Sequence, residues 1–255
     1  QVLVEEDQNL DSMMLLIKEL NSKRRDENLN SSIELIEEII STLSLSPDEL
    51  LSYIQLLDLK DFPKLSGEKL YNRYLEQDSF SVTSLLETME LLKNSGRDHF
   101  ASLVLKNKHI KTLTAEELIL IADSTIQNQS SLRGNYISLV SDLDLSNTKL
   151  ILDGAEYSSK DKIISYYLSS IESIKTQDLI ELANVSYQSK NSFLSNNLAL
   201  LSDLTISNLL KLVQTATYST KDTIISNSLN NYIKTVTSSE IISLSSESYQ
   251  EKNSI

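Results

Sequence analysis

The residues best suited to chemistry in this chain are two histidines, His99 and His109, and a scatter of carboxylates and hydroxyls. The histidines lie ten residues apart. That is too far for the i, i+4 spacing that puts two imidazoles on one helix face, and there is no cysteine to complete a ligand set. Both read as structural residues at a surface or a helix end. Serine is abundant, but no Gly-x-Ser-x-Gly elbow presents a nucleophile. Glu37-Glu38 and Glu116-Glu117 are adjacent acids, and adjacent helical residues point about 100° apart. A glycosidase dyad needs two carboxyls across a cleft, so capping or solvation explains these pairs better. Asp142-x-Asp144 lacks the glycine and terminal Glu of a calcium loop. Four glycines and two prolines in 255 residues cannot supply phosphate-cradling loops or the turns of a many-stranded β protein. No catalytic, cofactor-binding or metal-ligating residue is assigned, and the chain reads as non-enzymatic with no cofactor.

One constellation does recur. Tyr157, Tyr187, Tyr218 and Tyr249 follow one another at a near-constant interval. They could form an aromatic ladder that grips a peptide or a glycan. The alternative, which the sequence favours, is that each ring closes a turn and packs between repeats with its hydroxyl at the rim. Sequons at Asn30, Asn128 and Asn184 are what an Asn- and Ser-rich composition gives by chance.

The tyrosines head a repeat of about 31 residues, within the range of helical-repeat arrays. After each one, apolar residues recur in register: Ile163, Ile164, Leu168 and Ile171, then Phe193, Leu194, Leu198 and Leu201, then Ile224, Ile225 and Leu229. This is the stripe of one helix, B. Ahead of each tyrosine runs a second helix, A, with Leu152, Leu182, Val213 and Leu244 five residues before it and Leu179, Leu210 and Ile241 eight before it. Capping boxes mark A-helix starts at Thr114-x-x-Glu117 and Thr237-x-x-Glu240. Ser46-Pro47-Asp48-Glu49 adds a proline at the first helical position, and Thr176 with Asp178 serves the same end. B helices are expected after Ser159-Lys160-Asp161, Ser189-Lys190-Asn191 and Thr220-Lys221-Asp222, each hydroxyl placed to cap the first turn.

The resulting fold class is all-α, a right-handed helical-repeat solenoid (α-α superhelix) of about seven helix pairs. An acidic helical pair over 1–44 precedes an array over 45–255, with units near 46–80, 81–113, 114–144, 145–174, 175–204, 205–235 and an incomplete 236–255, as one continuous domain. These residues resemble the broad α-solenoid class of helical-hairpin repeats. The segments LTAEELILIADST and LTISNLLKLVQTATYS are similar to octotricopeptide-like and heptatricopeptide-like repeats of organellar RNA-binding proteins. The tetratricopeptide pattern fails for want of its Trp, Gly and Pro positions, and no specific family is matched.

Net charge is −13, and residues 1–62 hold 14 acids against five bases. Such a chain repels a phosphate backbone and offers no basic stripe, so nucleic acid is disfavoured. The Lys23-Arg24-Arg25 cluster sits among acids and reads as a solvated loop. No apolar stretch approaches the roughly 20 residues of a membrane span, so no membrane insertion is expected. The expected function is a protein- or peptide-binding scaffold, with two alternatives: the solenoid module of a larger multidomain enzyme, or an RNA-binding repeat protein. Because the chain begins at Gln1 and stops inside a repeat at Ile255, cleavage or excision and a continuation beyond Ile255 are expected. The absent cysteines and Ser/Asn-rich surface favour a periplasmic or secreted location over a cytoplasmic one.

The register is directly testable. Leu198→Asp places a charge in the B stripe and is expected to unfold its own repeat and its neighbours. A circular-dichroism melt that does not move would show that the stripe is misplaced.

Overall fold

The computed structural model describes residues 45–57, 67–76 and 80–250, with Ser12 and Leu15. The expected pair over 1–44, those two residues apart, and the start of the last B helix at Lys252-Asn253 lie outside these residues. Among the described residues the regular structure is helical, thirteen α-helices and two short 3₁₀ turns, and an isolated parallel bridge joins Ile174 to Leu201. None of the described helices is long and apolar enough to cross a membrane. The chain divides into two compact units, residues 1–132 and 133–255.

In the first unit, α1 (Pro47–Leu57) packs against α2 (Gly67–Leu75), and α3 (Val82–Leu91) against α4 (Asn94–Lys106). α2 also meets α4, and α3 meets α5 (Ala115–Asp123), so like helices stack on like. The start of α1 follows the sequence signal, with the Ser46 N–H and hydroxyl both donating to the Glu49 carboxylate. Tyr71, Tyr74, Phe80 and Phe100 form an aromatic cluster with ring centroids 5.2–6.1 Å apart. His99 joins it, its ring 5.6 Å from Tyr71, which makes it a packing residue of this core.

In the second unit, α7 (Leu145–Asp153) packs on α8 (Tyr157–Ser170), α9 (Thr176–Val185) on α10 (Lys190–Asn196), and α11 (Ile206–Thr215) on α12 (Ser219–Asn231). α9, α11 and α13 (Ser238–Glu247) stack in succession, as do α10 and α12. The stripes are buried as their spacing requires: Leu152, Leu182, Val213, Leu244, Ile163, Ile164, Phe193, Leu194, Leu198, Ile224 and Ile225 all belong to the core. The column eight residues before each tyrosine is mixed. Leu179 is buried, Leu210 half-buried and Ile241 exposed, because Leu209 takes the inward position in α11. Arg133 is buried and donates from Nη1 to the Ile151 carbonyl at 3.1 Å. Its charge thus sits at the negative end of α7. Gly154 ends that helix, and a Cβ there would collide with the Arg133 guanidinium.

B helices alternate in form. α4, α8 and α12 are continuous over 13, 14 and 13 residues. α6 (Gln129–Asn135) and α10 stop after seven and continue as 3₁₀ turns at Ile137–Leu139 and Leu198–Leu200. Asn197 gives one cause: its Nδ2 donates to the Phe193 carbonyl four residues back at 2.9 Å and competes with the helical ladder. Gly134 gives the other, a poor helix former where a Cβ would lie 2.9 Å from Ser159.

Capping at A-helix starts follows the sequence signals at Thr114 and Thr237, both complete capping boxes. Thr176 is instead the first residue of α9, and its N–H and hydroxyl donate to Asp203 at 2.8 and 2.7 Å. The B helices α8, α10 and α12 have no side-chain cap bond at all, and α8 begins two residues before Ser159. The expected hydroxyl caps are replaced by a clasp between repeats. Asp98 accepts the N–H groups of Ile126 and Gln127 at 2.7 and 2.9 Å. Asp161 accepts those of Tyr187 and Gln188 at 2.7 and 3.1 Å and the Ser189 hydroxyl at 2.9 Å. Asp222 accepts those of Tyr249 and Gln250 at 2.8 and 3.0 Å and the Ser248 hydroxyl at 2.7 Å. In the repeat between, Asn191 makes a neutral version, accepting from Thr217 N at 3.2 Å and donating to Thr217 Oγ1 at 2.7 Å.

Burial alone would raise the Asp222 carboxyl, but the bonds from Ser248, Tyr249 and Gln250 outweigh it and hold it below the usual carboxylate range. A carboxyl whose folded value is depressed contributes stability above its unfolded value of about 4, and the contribution disappears as pH falls through the folded value. Asp222→Asn is therefore expected to cost about 1 kcal/mol at neutral pH, with the gap to wild type closing on acidification. Urea unfolding of both proteins from pH 7 down to the acid limit measures this; a gap that is constant with pH would remove the clasp from the account.

Candidate functional site

The repeat tyrosines are the residues that the clasp positions most directly. The main-chain N–H groups of Tyr187 and Tyr249 are held by Asp161 and Asp222, so the backbone of each closes the A-to-B turn. Their side chains go outward. Tyr157 and Tyr218 are 65% and 69% exposed, and Tyr187 and Tyr249 are each 51% exposed. The rings meet in pairs at the surface: Tyr157 and Tyr187 lie 5.6 Å apart at 90°, and Tyr218 and Tyr249 lie 5.9 Å apart at 88°. This is the edge-to-face geometry that the ring quadrupole prefers. The first member of each pair has a left-handed backbone, with φ of 45° at Tyr157 and 48° at Tyr218. Non-glycine residues rarely adopt it, and it costs on the order of 1 kcal/mol. Ile126, 31 residues before Tyr157, holds the same position of the sequence repeat and is also exposed.

Beside the first pair is a hollow of about 480 Å³, floored by Leu152, Leu182 and Val185 and edged by Lys149, Lys160 and Glu181. Lys160 follows Tyr157 by one helical turn, and Val185 precedes Tyr187 by two residues. The Lys149 ammonium donates to Glu181 at 2.6 Å and lies 3.9 Å from Asp178. The bond with Glu181, with the two nearby carboxylates, raises Lys149 above the usual lysine range despite partial desolvation. The same bond, with one from Gln177, lowers Glu181. Lys160 engages no other described side chain or backbone group through an ion pair or hydrogen bond.

The remaining candidates are placed elsewhere. His99 belongs to the aromatic cluster, and the His109 N–H bonds the Val104 carbonyl at 3.1 Å. Glu117 closes the capping box on Thr114, whereas its neighbour Glu116 takes no part in it. Asp144 caps α7 and Asp142 offers its carbonyl to Asn147. Of the sequons, Asn184 lines the hollow and Asn128 is half-buried at the entry to α6. No group of three or more His, Asp or Glu side chains among the described residues is arranged to hold a metal ion. The clasp residues Asp98, Asp161 and Asp222 were not singled out by sequence reasoning as inter-repeat ties. For Asp161 and Asp222 the signal is the acid or amide four residues after each tyrosine, which alternates as Asp161, Asn191, Asp222 and Asn253.

Because both rings are at the surface, the double substitution Tyr157→Ala with Tyr187→Ala is expected to cost no more than about 1.5 kcal/mol, the upper value of an aromatic pair. Denaturant unfolding decides this, and a larger loss would make the tyrosines packing residues. Comparison with protein-family models, with curated proteins and with solved structures finds no match to this chain.

Proposed function

We propose that the protein is a non-enzymatic binding scaffold, a right-handed solenoid of about seven helix pairs, and that its partner is a protein or peptide. The pairwise packing of A with B helices, and of A on A and B on B within each unit, supports the repeat architecture. One observation carries the functional reading: two edge-to-face tyrosine pairs, each joining two adjacent repeats, stand at the surface, the first beside an apolar hollow. Tyrosine supplies a large contact area with a polar tip at little conformational cost, and such residues anchor protein interfaces. The hollow falls within the roughly 300–1,000 Å³ of binding pockets and combines an apolar floor with few charged groups. The net charge of −13 favours a partner without a phosphate backbone.

A photo-cross-linking residue introduced at Tyr187 tests this reading in a nuclease-treated extract of the source cells, with the same residue at exposed Lys234 as control. A discrete protein adduct at 187 and none at 234 is expected. Adducts made only of nucleic acid in an untreated extract, or identical adducts at both positions, would overturn it.

A further inference from the structure

The two tyrosine pairs mark equivalent junctions between repeats, and the junctions differ at one carboxylate. A lysine follows each tyrosine by three residues, at Lys160, Lys190, Lys221 and Lys252. Lys160, Lys190 and Lys221 are half-buried in the first turns of α8, α10 and α12, where the positive end of a helix disfavours a cation. At the junction of Tyr218 with Tyr249 the chain itself answers that charge. Glu247, two residues before Tyr249, accepts from Lys221 Nζ at 3.4 Å and from Gln214 Nε2 at 3.2 Å. At the junction of Tyr157 with Tyr187 the residues in the places of Gln214, Lys221 and Glu247 are Asp153, Lys160 and Val185. All three line the hollow of about 480 Å³, above the buried Leu152 and Leu182. Lys149, on its other edge, is taken by Glu181. Lys160 and Asp153 pair neither with each other nor with any other side chain among the described residues.

We infer that this hollow receives the C-terminal residue of a partner polypeptide, its carboxylate on Lys160 as Glu247 is on Lys221. The inference rests on the protein-binding reading above and names the part of the partner that is held. A half-buried cation over an apolar floor has lost part of its hydration, and an opposite charge replaces it best. The chain places such a charge at one junction and an apolar side chain, Val185, at the other. A C-terminal residue with an aliphatic or aromatic side chain carries three groups on one α-carbon: a carboxylate, an amide N–H and an apolar branch. They match Lys160, Asp153 and the floor of Leu152, Leu182 and Val185 in turn. Asp153 accepts where Gln214 donates, so this junction suits a ligand with an N–H beside its carboxylate. An internal Asp or Glu brings its carboxylate without an apolar group on the same carbon and leaves the floor uncovered. Capture of a terminal carboxylate is a recurring mode of peptide recognition. The residues upstream of that end then lie against the exposed rings of Tyr157 and Tyr187.

The probe is an array of hexapeptides that end in Leu, Val or Phe with a free carboxylate and vary in the first five positions, beside the same sequences as C-terminal amides. Array positives with an N-terminal fluorescein are titrated by anisotropy against the full chain. The free acids are expected to bind, and the amides to bind about tenfold more weakly, the worth of a charged hydrogen bond. Lys160→Gln should cause the same loss at an unchanged circular-dichroism spectrum, and Lys160→Arg should keep binding within severalfold. Val185→Glu, which supplies the carboxylate of the other junction, should weaken the free acids as Lys160→Gln does. Lys190→Gln, where Ala183 and Ala216 hold the corresponding places, should leave them within about twofold. Amides that bind as well as acids, or binding untouched by Lys160→Gln, would overturn the C-terminal inference and leave the scaffold reading standing. So would a protein adduct at 187 with no hexapeptide bound. N-acetyl-leucine that competes as well as the best hexapeptide would overturn the polypeptide as occupant. Failure of both the array and the cross-link would overturn both readings.

Discussion

A carboxylate that ties one repeat to the next is the constraint on which the rest of the described structure rests. An A-to-B turn leaves main-chain N–H groups outside any helical ladder, and such groups cannot be buried unpaired without a cost of about 1–3 kcal/mol. A local hydroxyl cap would satisfy them within the repeat. Here Asp98, Asp161 and Asp222 reach across from the preceding B helix and take two consecutive N–H groups each. The turn of one repeat is therefore not complete until its neighbour is in place. Nearest-neighbour coupling of this kind is what makes a helical array fold as linked units. A second tie at the other connection, the bonds from Ile174 N to Leu200 O and from Ser202 N to Ile174 O, works in the same direction.

The clasp also doubles the repeat. Its charged version recurs at Asp98, Asp161 and Asp222, in every second hairpin, and its neutral version at Asn191 falls between. The charged clasps sit on the continuous B helices α4, α8 and α12, and the neutral one on the split helix α10. The same doubling is visible in Ser141-Asp142-Leu143 and Ser202-Asp203-Leu204, two hairpins apart, where Asn147 and Asn208 bond the carbonyls of Asp142 and Asp203 alike. The structural unit is thus a pair of hairpins with one continuous and one split B helix.

This explains which features were legible in the chain and which were not. Periodicity gave the helices and most of the core, since burying an apolar stripe constrains residues three and four apart, and Leu152, Leu182, Val213 and Leu244 do what their spacing demands. Capping boxes were legible because Thr114 and Thr237 bond within their own first turn. The B-helix starts escape a local reading because their ligand lies 26 to 29 residues away, beyond any local pattern. Thr176 misleads for the same reason, its bonds going to Asp203 rather than along its own helix. Of the candidate site, the tyrosine column was legible from spacing, but the direction of the rings was not. That direction depends on the turn backbone, which a distant carboxylate fixes at Tyr187 and Tyr249.

The tyrosines therefore carry two separable properties. Their main chain is structural, since Tyr187 and Tyr249 deliver clasped N–H groups, and any residue except proline could do that. Their rings contribute little to the core: they touch each other in solvent and are not drawn into the stripes beneath. At Tyr157 and Tyr218 the left-handed backbone would suit glycine better than an aromatic residue. The ring pair offsets the strain of the turn by about the same amount, on the order of 1 kcal/mol, so folding gains little from an exposed ring at both places. The proposed contact with a second molecule would add a reason outside the fold, and the paired geometry suits it. Each ring in a T-shaped pair restrains the other, so less side-chain freedom remains to be lost when a partner covers them.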